Sequence, residues 1–155
     1  MSAENRFLSI EEIPPQIIIP PDNPFQLYRQ DGEYLYLSGH GPSWGNDFKQ
    51  NLGKLGANLN TDEGYDCAKI CMLNLLQTTR AAIGSLDNVD SIIELFGMVN
   101  SVNNYTEHSK VINGASELLK FVFQENAFHT RVAMGANSLP FNFSVEIKMT
   151  LKIKS

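Results

Sequence analysis

The chain has 155 residues, a hydrophobic fraction of 43% and a formal net charge of −5. This length suits one domain with a genuine core, and the composition excludes a disordered chain. The acidic balance argues against broad binding to nucleic acid, so no nucleic-acid partner is expected. No apolar run reaches the length of a membrane span, and the acidic start lacks the order of a signal peptide. A cytoplasmic protein without membrane contact is therefore expected.

The first 24 residues are predicted to form a proline-rich arm, and residues 25–155 a single domain. Five prolines between Pro14 and Pro24 predict extended or polyproline backbone along the surface, without helix. The segments FQLYR and EYLYLSGHG follow, separated by Asp31-Gly32, and predict a β-hairpin. A loop rich in glycine and polar residues then runs from Gly41 to Asn60.

The rest of the chain predicts two helices and three more strands. Asn60 followed by Glu63 is typical of a capping box, and Gly84 is a natural stop for the first helix. The apolar run SIIELFGMVNSV predicts a buried strand, and a second helix starts near Thr106. Two alternating apolar segments close the chain as strands. This order predicts an α+β fold with both helices on one face of the sheet. The other face is too apolar to meet water everywhere, which favours oligomerisation.

Cysteine and histidine spacing predicts no metal site. Cys67 and Cys71 lie four residues apart in the first predicted helix, too close to close a useful loop, and are expected to be reduced thiols. The three histidines share no ligand spacing with each other or with a cysteine. Neither a metal nor a cofactor is expected.

One arginine and one glutamate interrupt the two C-terminal strand patterns. Alternation places Arg131 with Ala133 on one face of its strand, and Glu146 on the polar face of the last strand. Solvent exposure is the simplest interpretation of the lysines that share the face of Glu146. A plain hairpin of the last two strands would pair Arg131 across from Glu146, which is one possible topology.

Several separated segments resemble the RidA family, also named YjgF-like or L-PSP proteins. These are YLYLSGHGP, GKLGANLNTDEGYDCAK, VINGASELL and RVAMGANSLPFNFSVEI, in this order. The spacing from Arg131 to Leu139-Pro140 and on to Glu146 of a VEI strand matches the C-terminal signature of the family. The resemblance covers residue 24 to the C-terminus, and the arm suggests a divergent branch. It implies a chorismate-mutase-like mixed sheet assembled as a homotrimer, with clefts between neighbouring subunits. It also implies a further strand between the last two, and we adopt this topology over the hairpin.

The resemblance also implies a function and a set of site residues. Members with the arginine hydrolyse small 2-imino and enamine acids to 2-keto acids and ammonia without a cofactor. Arg131 then corresponds to the arginine that binds the substrate carboxylate, and Glu146 to the glutamate that activates water; both are expected to be catalytic. Further substrate-binding positions are Phe25, Ser38, Gly39, His40, Asn113 and Ala133. Phe25 stands where tyrosine is common and His40 where glutamine is usual, which leaves the preferred substrate open.

The chemistry of these residue types agrees with that role. A guanidinium binds a carboxylate through two parallel charge-assisted hydrogen bonds, and one carboxyl group can act as base and then as acid in imine hydrolysis. Burial would raise the pKa of Glu146 and a nearby Arg131 would lower it, so the sequence leaves the balance open. A structural Arg131–Glu146 pair is an alternative. Trp44 and His129 could line the cleft, but such residues are more typical of packing or surface.

Two other functions are compatible with the sequence. A non-catalytic protein that binds small carboxylate metabolites in the same clefts would need only Arg131, whereas a hydrolase also needs Glu146. Ribonuclease or translation-inhibitor activity is a label that the family also carries. The acidic balance and the lack of a basic groove count against that third function.

Overall fold

The computed structural model describes residues 1–155 as one mixed sheet with two long helices on one face. The strands are β1 (Tyr28–Asp31), β2 (Tyr34–His40), β3 (Val89–Asn100), β4 (Thr130–Ala136) and β5 (Val145–Ile153). The helices are α1 (Ala3–Leu8), α2 (Thr61–Ile83) and α3 (His108–Phe123). The sheet order is β1-β2-β5-β3-β4. The predicted α+β fold is confirmed.

The position of β3 decides the topology of the C-terminal strands. β3 pairs with β4 in parallel and with β5 antiparallel, so it separates the last two strands of the chain. The inserted strand implied by the family resemblance is therefore confirmed, and the simple hairpin does not form. β4 is left as an edge strand with one free side.

The start and end of α2 follow the predicted signals. The Asn60 side chain accepts a hydrogen bond from the Glu63 amide, and the Glu63 carboxylate accepts one from the Asn60 amide. Such a cap contributes about 1 kcal/mol. The helix ends at Gly84, whose φ of +84° favours glycine. Cys67 and Cys71 are buried free thiols within this helix, and burial raises the pKa of both.

The core lies between the two long helices and the sheet. The β5 residues on that face, Val145, Ile147, Met149 and Leu151, are fully buried. The apolar face of α3 buries Val111, Ala115, Leu118, Leu119 and Val122. No helix covers the opposite face of the sheet. No helix has the length and apolar character that a membrane crossing requires.

The first residues of the arm form a helix where extended backbone was predicted. Ala3–Leu8 form a helix with Ser2 as N-cap, because the prolines begin only at Pro14 and leave these residues free to donate. Phe7 is 0% exposed and belongs to the hydrophobic core. The Arg80 guanidinium lies 5.5 Å from the Phe7 ring centroid, and it forms a 2.7 Å ion pair with Glu4. The prediction of extended backbone throughout residues 1–24 is wrong at α1.

Beyond α1 the arm has no regular secondary structure and is fixed at two further points. The Gln77 side chain donates a hydrogen bond of 2.8 Å to the Pro14 carbonyl. The Asn46 amide bonds Ile18 twice, accepting from its N–H at 2.9 Å and donating to its carbonyl at 2.8 Å. The arm is therefore attached to α2 and to the loop after β2.

Candidate active site

A β-bulge in β2 determines which of its residues face the open side of the sheet. Leu37 pairs with Met149 and His40 pairs with Ile147, so two residues of β2 stand opposite one residue of β5. The extra residue exchanges the two faces of the strand from this point on. His40 consequently points to the helix side and Gly39 to the open side.

Glu146 lies on the open side, directly against Gly39. A Cβ atom at position 39 would lie 3.0 Å from both Cδ and Oε2 of Glu146, so a larger residue there would displace the carboxyl group. The Glu146 carboxylate has no hydrogen-bond donor and no cationic partner within the chain. Desolvation by burial raises the pKa of Glu146. An isolated, partly desolvated carboxyl group of this kind suits proton transfer.

A cavity of about 550 Å³ opens beside Glu146. Phe25, Gly39 and His40 also line it, so four of the predicted site residues meet there. The walls come from the arm, from the loop after β2 and from the turn before β5. The side chains of these walls are mostly apolar, and include Ile17, Ile18, Ile19, Phe48, Phe141 and Phe143.

His40 contributes to this cavity as a packed residue. It is 2% exposed, and both ring nitrogens have partners, Nδ1 with the Ser38 carbonyl at 2.7 Å and Nε2 with Thr78 Oγ1 at 2.8 Å. Burial lowers the pKa of His40 to about 4, although the bond to Ser38 acts in the opposite direction. The imidazole is therefore neutral and offers no free nitrogen to a ligand. Its ring joins the bulge to α2, and the predicted part of His40 in substrate binding stays a prediction.

Arg131 lies at the other end of the sheet, on the edge strand β4. One terminal nitrogen of its guanidinium donates to Ser116 Oγ at 3.0 Å. The other donates to the Ser109 carbonyl at 3.1 Å and to Ser109 Oγ at 2.9 Å. Its Nε–H has no partner and no carboxylate pairs with it within the chain. Partial burial lowers the pKa of Arg131. The guanidinium is held by α3 and still has donors for a ligand.

The two serines that bind Arg131 lie along one side of α3, together with Asn113. Asn113 falls between Ser109 and Ser116 at helical spacing, so the three share that side. Behind Ser116, His129 Nε2 lies 3.0 Å from Ser116 Oγ, and His129 Nδ1 bonds the Ala127 carbonyl at 2.6 Å. Ala133, two residues after Arg131 on β4, packs against the core. Asn113 and Ala133 therefore lie on the Arg131 side of the fold, and their predicted part in substrate binding stays a prediction.

One chain does not bring Arg131 and Glu146 together. On β3, Leu95 pairs with Arg131 and Met98 with Glu146. Positions three residues apart on one strand face opposite sides, and two strand spacings add to the separation, so the two Cα atoms lie roughly 14 Å apart. A structural pair of Arg131 with Glu146 inside the chain is excluded. A site containing both residues requires a second copy of the chain.

The other predicted residues have smaller roles. Ser38 Oγ donates to the Gln26 carbonyl at 2.6 Å, which joins the bulge to the segment before β1. Trp44 is 36% exposed and takes part in a backbone bridge with Asp47 outside the cavity lining. No three His, Cys, Asp or Glu side chains are grouped so as to hold a metal ion.

Sequence reasoning missed the arm as a wall of the cavity. The apolar run Ile17–Ile19 was the available signal, because such a run on an extended arm favours burial of part of its surface, and Ile17 is 6% exposed. It also missed Ser109 and Ser116 as partners of Arg131. Their signal was a polar stripe, shared with Asn113, on an otherwise apolar helix.

The sequence matches a known protein family. Residues 17–151 match the protein family described as "YjgF/chorismate_mutase-like, putative endoribonuclease". The chain belongs to the YjgF family. A relative, "Protein TCP17" of Trypanosoma cruzi, is 36% identical over 137 residues, which cover 87% of this chain and 84% of the relative.

Solved structures show the same YjgF fold. The protein Atu1372 of unknown function from Agrobacterium tumefaciens is 32% identical with a TM-score of 0.89, covering 98% of this chain and 92% of that protein. A "putative endoribonuclease" from Shewanella oneidensis is 26% identical with a TM-score of 0.90, and the match covers 99% of this chain and 100% of that protein. Both alignments include the arm, so these YjgF proteins have counterparts to it.

Proposed function

We propose that this YjgF protein is a hydrolytic deaminase of 2-imino and enamine carboxylic acids, acting in clefts between the subunits of a homotrimer. The observation that carries the proposal is a pair of opposite charges, neither of which has a counter-charge within the chain. Glu146 is a desolvated carboxylate without a cation, and Arg131 is a half-buried guanidinium without an anion. Unpaired charges of this kind are costly unless a ligand or a partner meets them.

The proposed trimer would join the two parts. β4 is an edge strand, so Arg131 lies at a border of the subunit where a neighbour can approach. The uncovered sheet face exposes large apolar side chains that an interface would bury, namely Tyr34, Tyr36, Val132 and Met134, each 41 to 49% exposed. In the proposed cleft, Arg131 of one copy lies opposite the cavity that contains Glu146 of the next. Sedimentation should give three times the mass of the chain, and a stable monomer at micromolar concentration would contradict this part of the proposal.

The reaction needs one carboxyl group and one water molecule. Arg131 binds the substrate carboxylate through two parallel N–H donors and thereby orients the C=N bond. The water oxygen then bonds to C2 while Glu146 takes a water proton and passes it to the imine nitrogen, giving a carbinolamine. In the second step Glu146 takes the hydroxyl proton, the C2–N bond breaks, and the nitrogen receives that proton and leaves as ammonia. The products are a 2-keto acid and ammonia, and Glu146 returns to its carboxylate form.

A pKa above the ordinary glutamate value assists both proton transfers, since the acid form must be accessible near neutral pH. The lining of the cavity also favours this reaction over cleavage of RNA. It contains no lysine or arginine, and the whole chain carries a net charge of −5. Within one subunit, a phosphate backbone would meet no counter-charge in this cavity.

The test measures ammonia released when an amino-acid oxidase generates 2-imino acids in the presence of the protein. Glu146→Gln should lower the catalysed rate by about a hundredfold or more and leave 2-keto acid binding intact, because it keeps the shape and removes the base. Glu125→Gln is the matched control, since Glu125 is an exposed carboxylate just after α3, away from the sheet and outside the cavity. Equal rates for wild type and Glu146→Gln would refute the catalytic role.

The competing function is binding of small carboxylates without catalysis, which Arg131 alone can support. A wild-type protein that binds 2-keto acids and does not accelerate imine hydrolysis would establish that function instead. Calorimetric titration with pyruvate and phenylpyruvate separates binding from turnover.

A further inference from the structure

We infer that the substrate of this site carries an aromatic side chain, and that the arm and the turn before β5 select it. The inference rests on the proposed function, because it names the substrate class of the same cavity. Pockets of roughly 300 to 1,000 Å³ accommodate ligands of drug size. The cavity beside Glu146 has about 550 Å³, far more than a methyl side chain needs.

The walls of the cavity suit an aromatic ring. Phe48, Phe141 and Phe143 form a cluster with ring-centroid distances of 5.0, 5.9 and 5.3 Å. Phe141 and Phe25 are 64% and 59% exposed, so both rings keep accessible surface beside the cavity. Aromatic pairs prefer tilted and edge-to-face contacts at these distances, so a substrate ring would extend the cluster.

The backbone that presents Phe141 is strained. Phe141 and the following Asn142 both adopt left-handed conformations, with φ of +60° and +61°. This conformation is costly for a bulky residue and persists where the surrounding structure compensates for it. Here it directs an exposed phenylalanine ring toward the cavity. Gly41 allows the same arrangement, since a Cβ there would lie 2.3 Å from the Phe143 ring.

The arm supplies the opposite wall. Asn46 fixes the Ile18 backbone with its two hydrogen bonds, and Ile17 is 6% exposed, so this part of the arm is held in place beside the cavity although the Ile18 side chain is 71% exposed. Gly45, with φ of +57°, lets Pro15 approach, because a Cβ at position 45 would lie 2.6 Å from Pro15 Cγ. The arm is thus a fixed part of the binding surface, and a small substrate would leave this surface uncovered.

The experiment compares two imines made in place by the same D-amino-acid oxidase. Oxidation of D-phenylalanine and D-alanine gives 2-imino acids that differ only in carrying a phenyl or a hydrogen on the methyl carbon. Semicarbazide trapping measures the imine that remains. We expect kcat/KM of the wild type to be at least about tenfold higher for the phenylalanine-derived imine, from burial of the ring. Equal values, or a higher value for the alanine-derived imine, would overturn the inference and leave the deaminase proposal standing.

Substitutions in the cavity walls show which residues cause the preference for the phenylalanine-derived imine. Phe141→Ala and Asn46→Ala should each lower the ratio of the two kcat/KM values by about fivefold to tenfold, the first by removing a ring and the second by releasing the arm. Phe121→Ala is the matched control, since Phe121 is 50% exposed in the groove between α2 and α3 and should leave the ratio unchanged. A preference that survives both cavity variants would overturn the assignment to these walls.

If the protein hydrolyses neither imine, binding of the corresponding 2-keto acids tests the aromatic substrate class instead. Calorimetric titration should then give phenylpyruvate an affinity about tenfold above that of pyruvate. That result would support the aromatic class while the deaminase proposal fails. No binding of either acid would refute both.

Discussion

Acidification should destabilise this protein through His40. The pKa of His40 is about 4 in the folded protein, below the ordinary value of 6.5 that applies in the unfolded chain. Between these values the unfolded chain binds a proton that the folded protein does not. The contribution of neutral His40 to the free energy of unfolding is therefore fully present above pH 6.5, and it is lost as the pH drops toward 4. The gap between the two pKa values corresponds to about 3 kcal/mol of unfolding free energy.

Urea unfolding of wild type and His40→Gln between pH 4 and 7.5 measures this contribution. All other titrating groups are common to both proteins, so the difference between their unfolding free energies isolates His40. Any constant cost of losing the bonds to Ser38 and Thr78 cancels, because the prediction concerns the slope with pH. From pH 7 to pH 4 the wild type should lose about 3 kcal/mol more than the variant. Parallel pH dependences would refute the assignment of a neutral, buried imidazole.

Two further predictions concern the arm and the arginine. Phe7→Ala should lower the unfolding free energy by about 3 kcal/mol, unless release of the arm from the core costs less, in which case that cost is the limit. Leu8→Ala is the control, because Leu8 is 52% exposed, and it should change the unfolding free energy by less than about 0.5 kcal/mol. Equal effects in thermal unfolding would show that α1 is not docked. Arg131→Ala should cost about 2 to 4 kcal/mol in calorimetric binding of 2-keto acids, and Arg131→Lys should restore little, because an ammonium lacks the planar fork. Retained binding in the alanine variant would assign the carboxylate to another residue.

Most of the fold was predictable because local signals agreed with one another. The capping box at Asn60, the stop at Gly84 and the alternation along β5 each depend on neighbours within a few residues. The sheet order is different, since it depends on long-range pairing. The choice between a hairpin and an inserted strand came from the family resemblance and not from the alternation itself.

The sequence was a poor guide where tertiary contacts override a local pattern. One extra residue in β2 turns His40 inward, and alternation alone cannot reveal a bulge. The helix α1 is short, and its stability comes from the burial of Phe7 and the ion pair of Glu4, which no local propensity encodes. Arg131 and Glu146 belong to one sequence signature, but their side chains lie far apart in the folded subunit because β3 separates their strands.

The separation of Arg131 and Glu146 on one chain has a consequence for genetics. If each proposed cleft takes its arginine from one subunit and its glutamate from the next, two inactive variants can complement each other. A trimer that contains both Arg131→Ala and Glu146→Gln subunits has one junction where an intact arginine meets an intact glutamate. Co-expression of the two variants should therefore restore about one-third of the activity in each mixed trimer, although neither variant alone is active. A site contained within one subunit could never be restored in this way.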